Sequence, residues 1–226
     1  MDGVLFDVDG TLVDTTYLHA VCWWEALRQV GFPVEAARIH RGIGMGTDKL
    51  LDHLLGADHD PDRTVQATAA HKALYRTYWD RLRPLPGAAD VLRLCAASGL
   101  RVVLASSADP EELAVLRRVV DADDVIHTAT SAGDADRSKP DPDILTTGMD
   151  AAGLSAAATV MVGDSVWDVA AADRAGLPCI GVTCGGTSAA ELRTAGAVET
   201  YGDPCALQAA FAGSVLASVS ARTARA

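Results

Sequence analysis

Aromatic side chains are scarce in this sequence, and lysines are scarcer still. Of 226 residues, 5% are Phe, Trp or Tyr, and only three are lysines, against sixteen arginines. Proteins that bind nucleic acid or anionic membranes depend on clustered cations, whereas the formal net charge here is −11. We therefore expect neither a nucleic acid nor a membrane as a partner.

Long hydrophobic runs and paired cysteines are also missing. No stretch approaches the 18 consecutive apolar residues of a transmembrane helix, and the opening MDGVLFDVDG lacks the basic segment and apolar run of a signal peptide. The five cysteines are scattered and form no CxxC pair, which argues against a disulfide framework or a zinc cage. These absences favour a cytoplasmic protein with reduced thiols.

The order of apolar runs predicts an α/β fold that is interrupted by a helical insert. Val4–Val8 reads as a buried strand that stops at Asp9 and Gly10. Helical periods fill residues 14–84, and strands then alternate with helices, which is typical of a parallel sheet covered on both faces. We predict a core of residues 1–13 and 85–226 and a helical domain of residues 14–84. The predicted helices are 18–28, 49–55, 60–82, 88–97, one from 110, 141–153, 166–175 and one after 204, and the later strands are 101–107, 124–128, 159–162 and 178–183.

Two predicted strands end in pairs of acidic residues. Asp7 and Asp9 follow the first strand, and Asp164 and Asp168 follow the strand at 159–162. Ligands of open α/β sheets gather at the carboxyl ends of strands, and a cluster of acids there repels itself unless a divalent cation lies within it. The spacing therefore favours a Mg²⁺ site, although Asp164 alone could simply cap the next helix.

Two further segments carry groups suited to binding a phosphate. Ser106 and Ser107 end the strand VVLASS, where hydroxyls and backbone N–H groups can hold phosphate oxygens. Lys139, in SKPDPDIL, is one of the few lysines and stands where a loop meets a helix.

Together these motifs resemble those of the haloacid dehalogenase-like phosphohydrolases, and the resemblance covers nearly the whole chain. DVDGT (Asp7–Thr11), Ser106, Lys139 and GDSVWD (Gly163–Asp168) appear in the order of that family. The resemblance implies a Rossmann-like catalytic core, with the helical segment 14–84 as an inserted cap.

The resemblance also implies a role for each motif residue. Asp7 would be the nucleophile that becomes an aspartyl phosphate, and Asp9 the acid that protonates the leaving alcohol and then the base that activates water. Mg²⁺ would be held by Asp7, the backbone carbonyl of Asp9, and Asp164, with Asp168 in the outer shell. The residues expected to contact the phosphoryl group or the rest of the substrate are Ser106, Ser107, Lys139 and Thr11.

Two residues of the helical segment are candidates for substrate contact. His19 could face the cleft from the first helix, and Arg41 lies in the glycine-rich stretch His40–Asp48. That stretch is either a mobile loop that closes over the site or a helix–helix connection whose glycines are caps.

The favoured function is a Mg²⁺-dependent phosphomonoesterase that acts on a small phosphorylated metabolite. The alternative is a sugar phosphomutase, since DTTYLHAVCW (Asp14–Trp23) resembles the β-phosphoglucomutases, although Thr11, Met45 and Gly163 depart from their pattern. A third possibility, from a different class, is an inactive regulator with this fold, which would be expected to have lost one of the motif residues. The particular substrate stays open, as does the choice between monomer and homodimer.

Overall fold

The computed structural model describes residues 2–223, with side chains through residue 219, and its centre is a six-stranded parallel sheet. The strands lie in the order β3-β2-β1-β4-β5-β6, so the direction of chain progression reverses between β1 and β4. Open α/β sheets bind ligands at such a reversal. The strands are β1 (Gly3–Phe6), β2 (Arg101–Ala105), β3 (Ile126–Thr130), β4 (Thr159–Gly163), β5 (Cys179–Val182) and β6 (Glu199–Tyr201).

The α-helices of residues 2–223 occupy both the insert after β1 and the connections between later strands. Three of them begin with an Asp-Pro pair, in which the aspartate accepts a hydrogen bond from a backbone N–H of the first turn and proline occupies the first position. The helices are α1 (Thr16–Gln29), α2 (Ala36–Gly42), α3 (Thr47–Leu55), α4 (Pro61–Arg76), α5 (Ala88–Ala97), α6 (Pro110–Val120), α7 (Asp143–Ala152), α8 (Val166–Arg174), α9 (Ala189–Ala195), α10 (Pro204–Ala210) and α11 (Val215–Thr223).

Both faces of the sheet are buried, as the uninterrupted apolar strands predict. Along β1, Val4 and Phe6 belong to one hydrophobic cluster with α5, α6, α10 and α11. Leu5, between them, points to the opposite face and joins a second cluster with α7, α8 and α9. The predicted α/β class, with a parallel sheet covered on both faces, is therefore confirmed.

The helical segment 14–84 has a hydrophobic cluster of its own. Trp23 and Leu27 from α1 pack there with Ile39 from α2 and Leu50 from α3. Other buried side chains of the segment, Cys22 of α1 and Tyr75 of α4, instead join the cluster on one face of the sheet. In the described part of the chain, no helix has the length and apolar character needed to cross a bilayer.

Several element predictions differ from the structure. The helix predicted at 60–82 ends at Arg76 and is followed by a short 3-10 helix, Trp79–Arg81. Among the α-helices and strands of residues 2–223, four were missed, namely α2, α9, β6 and α11. Apart from α11 these are only three to seven residues long. Such short elements contain too few residues for a hydrophobic periodicity to be recognised.

Candidate active site

The sheet register brings the acidic strand ends together. Phe6 of β1 lies beside Leu104 of β2 and Val162 of β4, so the residues that follow these three strands meet at one edge. Asp7 comes first after β1 and donates its backbone N–H to the Val162 carbonyl at 2.9 Å. Asp164 comes first after β4 and lies close enough for Thr11 to donate to its Oδ1 at 3.1 Å.

Lys139 is the cation of this cluster and is completely buried. Its Nζ donates to Asp7 Oδ1 at 2.5 Å, to Asp168 Oδ1 at 2.8 Å and to the Ala105 carbonyl at 2.9 Å. Burial opposes the charged form, but Asp168 and Asp7 outweigh burial and raise the pKa of Lys139 above its usual value. All three ammonium protons are thus used, and the cation is fixed against Asp7.

The carboxylates of this cluster carry more negative charge than one lysine balances. Burial, followed by the charge of Asp168, raises the pKa of Asp7 to about 7 even though Lys139 opposes the shift. Burial and the two neighbouring aspartates hold the pKa of Asp164 well above its usual range. The cluster is therefore costly to ionise fully without a further cation.

Asp168 owes its position to the start of α8. Ser165, at the N-cap, donates through Oγ at 2.6 Å and through its backbone N–H at 3.1 Å to Asp168 Oδ2, while the Asp168 N–H returns a bond to Ser165 Oγ. This reciprocal capping box fixes Asp168 so that its other oxygen faces Lys139. The pair Asp164 and Asp168 therefore shares the start of one helix, as the sequence predicts.

Asp9 has a different set of partners from Asp7. Its Oδ1 accepts a hydrogen bond from Thr15 at 2.7 Å and lies 3.3 Å from His19 Nε2, while Ser106 Oγ lies 3.4 Å from Oδ2. Burial alone would raise the pKa of Asp9, but the hydrogen bond and charge of His19 outweigh burial and lower it. The pKa values of the two aspartates of the first motif are thus shifted in opposite directions, upward for Asp7 and downward for Asp9.

His19 links the helical segment to the core. Its Nε2 faces both Asp9 and Glu112 at 3.3 Å, and its Nδ1 lies 3.2 Å from His71 Nε2. Burial opposes protonation, but hydrogen bonds to Asp9 and Glu112 prevail and raise the pKa of His19 to about 10. His19 is therefore an imidazolium at neutral pH, and the structure places it on the second aspartate of the motif.

The serines at the end of β2 lie at the same edge. Ser106 is fully buried and its Oγ also accepts a hydrogen bond from the Ala108 N–H at 3.0 Å. Ser107 Oγ is buried and has no hydrogen-bond partner among the described residues. An unpaired hydroxyl beside Asp7 and Asp9 is available to a ligand oxygen.

A small cavity of about 70 Å³ opens onto these groups. Asp7, Asp9 and Ser107 line it from the core, and His19 lines it from α1. The connection between α2 and α3 and the first residue of α3 also line it, through Ile43, Gly44, Met45 and Thr47. The glycine-rich stretch is thus a short helix–helix connection, and part of it closes the cavity.

Arg41 does not join this cavity, contrary to the expectation of substrate contact. It lies near the end of α2, is 60% exposed in its side chain, and pairs with Glu191 of α9. Its carbonyl also accepts a hydrogen bond from Trp167 Nε1 at 2.9 Å. Arg41 precedes Ile43, the first residue of this stretch that lines the cavity. Its guanidinium therefore lies outside the cavity, against α9.

Sequence reasoning missed Glu112 and His71 as members of the site. Glu112 reads as an ordinary first-turn acid of α6, and His71 as one of several histidines without metal-ligand spacing. Their common partner, His19, lies 93 residues from Glu112 and 52 residues from His71 along the chain. No local pattern marks such a pairing.

The donor set fits a divalent cation. Asp7, Asp164 and Asp168 are buried, and each offers a carboxylate oxygen within 4.8 Å of the others. Hard oxygen ligands of this kind suit Mg²⁺. Position 185 has no room for a side chain beside Asp164, because a Cβ on Gly185 would lie 1.7 Å from Asp164 Oδ2.

A parallel sheet with a lysine–aspartate cluster at its carboxyl edge and a helical insert after β1 defines a recognisable class of enzyme. The chain belongs to the haloacid dehalogenase-like hydrolases, since the family's sequence profile matches residues 1–176. The resemblance inferred from the motifs is therefore confirmed, and so is the conclusion that the protein is a hydrolase.

Individual relatives agree with this family. A phosphoglycolate phosphatase of Yersinia pestis is 32% identical over 188 residues, which cover 81% of each chain. A hydrolase from Pseudomonas syringae has a similar structure, with a TM-score of 0.89 and 28% identity over 94% of this chain and 99% of that chain. The alignment with the β-phosphoglucomutase of Clostridium difficile covers 100% of both chains with a TM-score of 0.81. At 16% identity this similarity shows the shared fold alone.

Proposed function

We propose that the protein is a Mg²⁺-dependent phosphomonoesterase that acts on a small phosphorylated metabolite through an aspartyl phosphate on Asp7. The observation that carries the proposal is the pair of aspartates after β1: Asp7 is held by Lys139, and Asp9, two residues later, is held by His19. One carboxylate is thereby oriented as a nucleophile and the other as a proton carrier. The phosphatase named among the relatives supports the same reaction class.

Asp7 would attack the phosphorus atom through a carboxylate oxygen. An O–P bond forms on Asp7 as the bond from phosphorus to the leaving alcohol breaks, and water later attacks the same phosphorus to free Asp7 and inorganic phosphate. Lys139 would neutralise the nucleophile and the incoming phosphoryl oxygens, because its Nζ lies 2.5 Å from Asp7 Oδ1. Phosphoryl transfer depends mainly on such positioning and charge neutralisation.

Asp9 would supply a proton to the leaving oxygen and then remove one from the attacking water. Its lowered pKa means that the free carboxyl is ionised, so the first step requires a proton from elsewhere. His19 carries one on Nε2, 3.3 Å from Asp9 Oδ1. A proton shared within the Asp9–His19 pair is therefore available at the cavity that both residues line.

Asp7, the backbone carbonyl of Asp9, and Asp164 would hold the Mg²⁺ ion. When bound, the ion supplies charge neutralisation between the phosphate and the aspartates. Asp168 already accepts hydrogen bonds on both oxygens, which suits a place in the outer shell. The single hydroxyl proton of Thr11 lies between Asp164 Oδ1, at 3.1 Å from Oγ1, and Asp7 Oδ2, at 3.3 Å, and would keep the two ligands in register.

Ser106 and Ser107 would bind the oxygens of the phosphoryl group. Ser106 is buried beside Asp9, and the Ser107 hydroxyl has no hydrogen-bond partner among residues 2–219. The Ser107 hydroxyl can donate one hydrogen bond to an anionic oxygen, and the Ser106 hydroxyl would exchange its contact with Asp9 Oδ2 at 3.4 Å for one to the phosphoryl group.

We also propose the domain division given by the sequence, with a core of residues 1–13 and 85–226 and a cap of residues 14–84, in a cytoplasmic protein.

Hydrolysis is favoured over a phosphomutase by the wall of the cavity. A mutase must retain a second phosphate while the sugar turns, yet the lining residues from the helical segment are His19, Trp23, Ile43, Gly44, Met45, Thr47 and Leu50. None of these is an arginine or a lysine, and His19 is already engaged by Asp9 and Glu112. With β-glucose 1-phosphate as substrate we expect free phosphate, and a coupled glucose-6-phosphate dehydrogenase assay that forms NADPH without phosphate release would establish the mutase instead.

Release of p-nitrophenol from p-nitrophenyl phosphate with and without Mg²⁺ tests the main proposal. We expect turnover that EDTA abolishes and Mg²⁺ restores, and a loss of more than about a hundredfold in Asp7→Asn. Asp150→Asn, at an exposed position on α7, is the matched control and should retain activity. Metal-independent turnover would disprove the ion's role, and absence of turnover in a folded wild-type protein would favour the inactive regulator.

A further inference from the structure

A second cavity adjoins the proposed catalytic cavity and is much larger. It measures about 470 Å³ and shares two lining residues, Thr47 and Ser107, with the smaller cavity. This size falls within the range that holds small-molecule ligands. A phosphate at Asp7 would therefore have the rest of its molecule beside Ser107, in the direction of the second cavity.

The lining of this second cavity is strongly acidic. It includes Asp48, Asp109, Glu112 and Asp136, against a single lysine, Lys72. Lys72 is already neutralised, because its Nζ lies 3.0 Å from Asp109 Oδ2. No arginine lines the cavity.

Glu112 is the acid nearest to the proposed chemistry. One of its carboxylate oxygens lies within 4.8 Å of a carboxylate oxygen of Asp9. Its Oε1 is buried and lies 3.3 Å from His19 Nε2. The same His19 Nε2 also lies 3.3 Å from Asp9 Oδ1, so a single N–H faces two carboxylates, which together can accept further hydrogen bonds.

We infer that the part of the substrate beyond the phosphate carries an amine, and that substrates with a carboxylate in that place are rejected. This inference rests on the proposed phosphatase function and deepens it. A primary ammonium supplies three donors and a positive charge to the Glu112 oxygen and to the acids behind it. A carboxylate would face a lining whose four acids and one lysine leave a formal charge of −3, and that lysine, Lys72, is already paired with Asp109.

The expected discrimination follows from Coulomb's law. A unit charge 4 Å from another is worth roughly fivefold in binding even at the dielectric constant of water, and more in a partly enclosed cavity. Replacing an ammonium by a carboxylate changes the charge by two units. We therefore expect kcat/KM to differ by about tenfold or more between otherwise matched substrates.

Three two-carbon phosphate esters make the comparison directly. 2-Aminoethyl phosphate, 2-hydroxyethyl phosphate and 2-phosphoglycolate have the same length and differ in the terminal group, which is positive, neutral or negative. With the Mg²⁺-loaded protein, we expect kcat/KM to fall in that order. Any other order, or equal values, would overturn the inference.

A substitution at Asp109 tests whether the cavity charge is the cause. Asp109→Asn keeps an N-cap residue for α6 but leaves Lys72 without its partner, so the ratio of kcat/KM for phosphoglycolate over aminoethyl phosphate should rise severalfold. Asp203→Asn is the matched control, because Asp203 caps α10 through the same Asp-Pro arrangement and does not line the cavity. An equal ratio in both variants would contradict the assignment.

The outcomes separate this inference from the function on which it rests. If p-nitrophenyl phosphate is hydrolysed but phosphoglycolate is the best of the three esters, only the inference about specificity is refuted. If p-nitrophenyl phosphate is not hydrolysed by the folded protein, the phosphatase function and the specificity fall together.

Discussion

Replacing His19 by glutamine should make the stability of the protein less dependent on pH. His19 is a buried residue of α1, in the helical segment, and it contacts two carboxylates of the core, Asp9 and Glu112. Glutamine can still donate a hydrogen bond but carries no charge. The variant therefore removes the imidazolium while it keeps a polar side chain of similar reach.

The magnitude follows from the shift in the pKa of His19. These contacts raise that pKa from 6.5 to about 10, so the folded protein binds this proton more tightly than the unfolded chain does. The resulting stability is fully present below pH 6.5 and is lost as the pH rises through 10. Between pH 6.5 and pH 9.5, the wild-type advantage over His19→Gln should shrink by about 3 to 4 kcal/mol.

Urea unfolding at several pH values between 6.5 and 9.5, in EDTA and again with Mg²⁺, measures this change. Leu50→Ala, in the core of the helical segment, is a suitable control, because it should cost roughly 2–5 kcal/mol at every pH. A difference between wild type and His19→Gln that stays constant within about 1 kcal/mol would refute the charged state of His19.

Three other substitutions test the remaining contacts. Lys139→Met should lower the free energy of unfolding by about 3–5 kcal/mol at pH 7.5, since it leaves Asp7 and Asp168 buried without their cation, and an unchanged melting temperature in calorimetry would contradict this. Gly185→Ala should reduce Mg²⁺-dependent turnover by roughly a hundredfold, because its Cβ would displace Asp164, whereas Gly202→Ala, where a Cβ meets nothing within 4 Å, should be active. Arg41→Ala should cost no more than about 1 kcal/mol in urea unfolding, because its pair with Glu191 is exposed, and equal kcat/KM ratios on every ester would confirm that Arg41 does not select the substrate.

The sequence was enough to predict the centre of the fold and the acidic cluster. Asp7, Asp9, Asp164 and Asp168 could be placed because each follows the end of a buried apolar strand, and parallel strands bring their carboxyl ends to one edge. Strand ends and caps are local features, set by a few consecutive residues. The class of enzyme followed from the same local motifs in their order along the chain.

The tertiary structure decided which partners those acids acquire. Glu112 on α6 reaches His19 only because the helical segment packs against the core, whereas His71 reaches it because α4 packs against α1 within that segment. Arg41 pairs with Glu191 because of where α2 lies. Such contacts join residues 52 to 150 positions apart, so no periodicity or spacing in the chain records them. Burial then fixes the charge of each group, because the pKa of a side chain depends on the solvent and charges around it rather than on its neighbours in sequence.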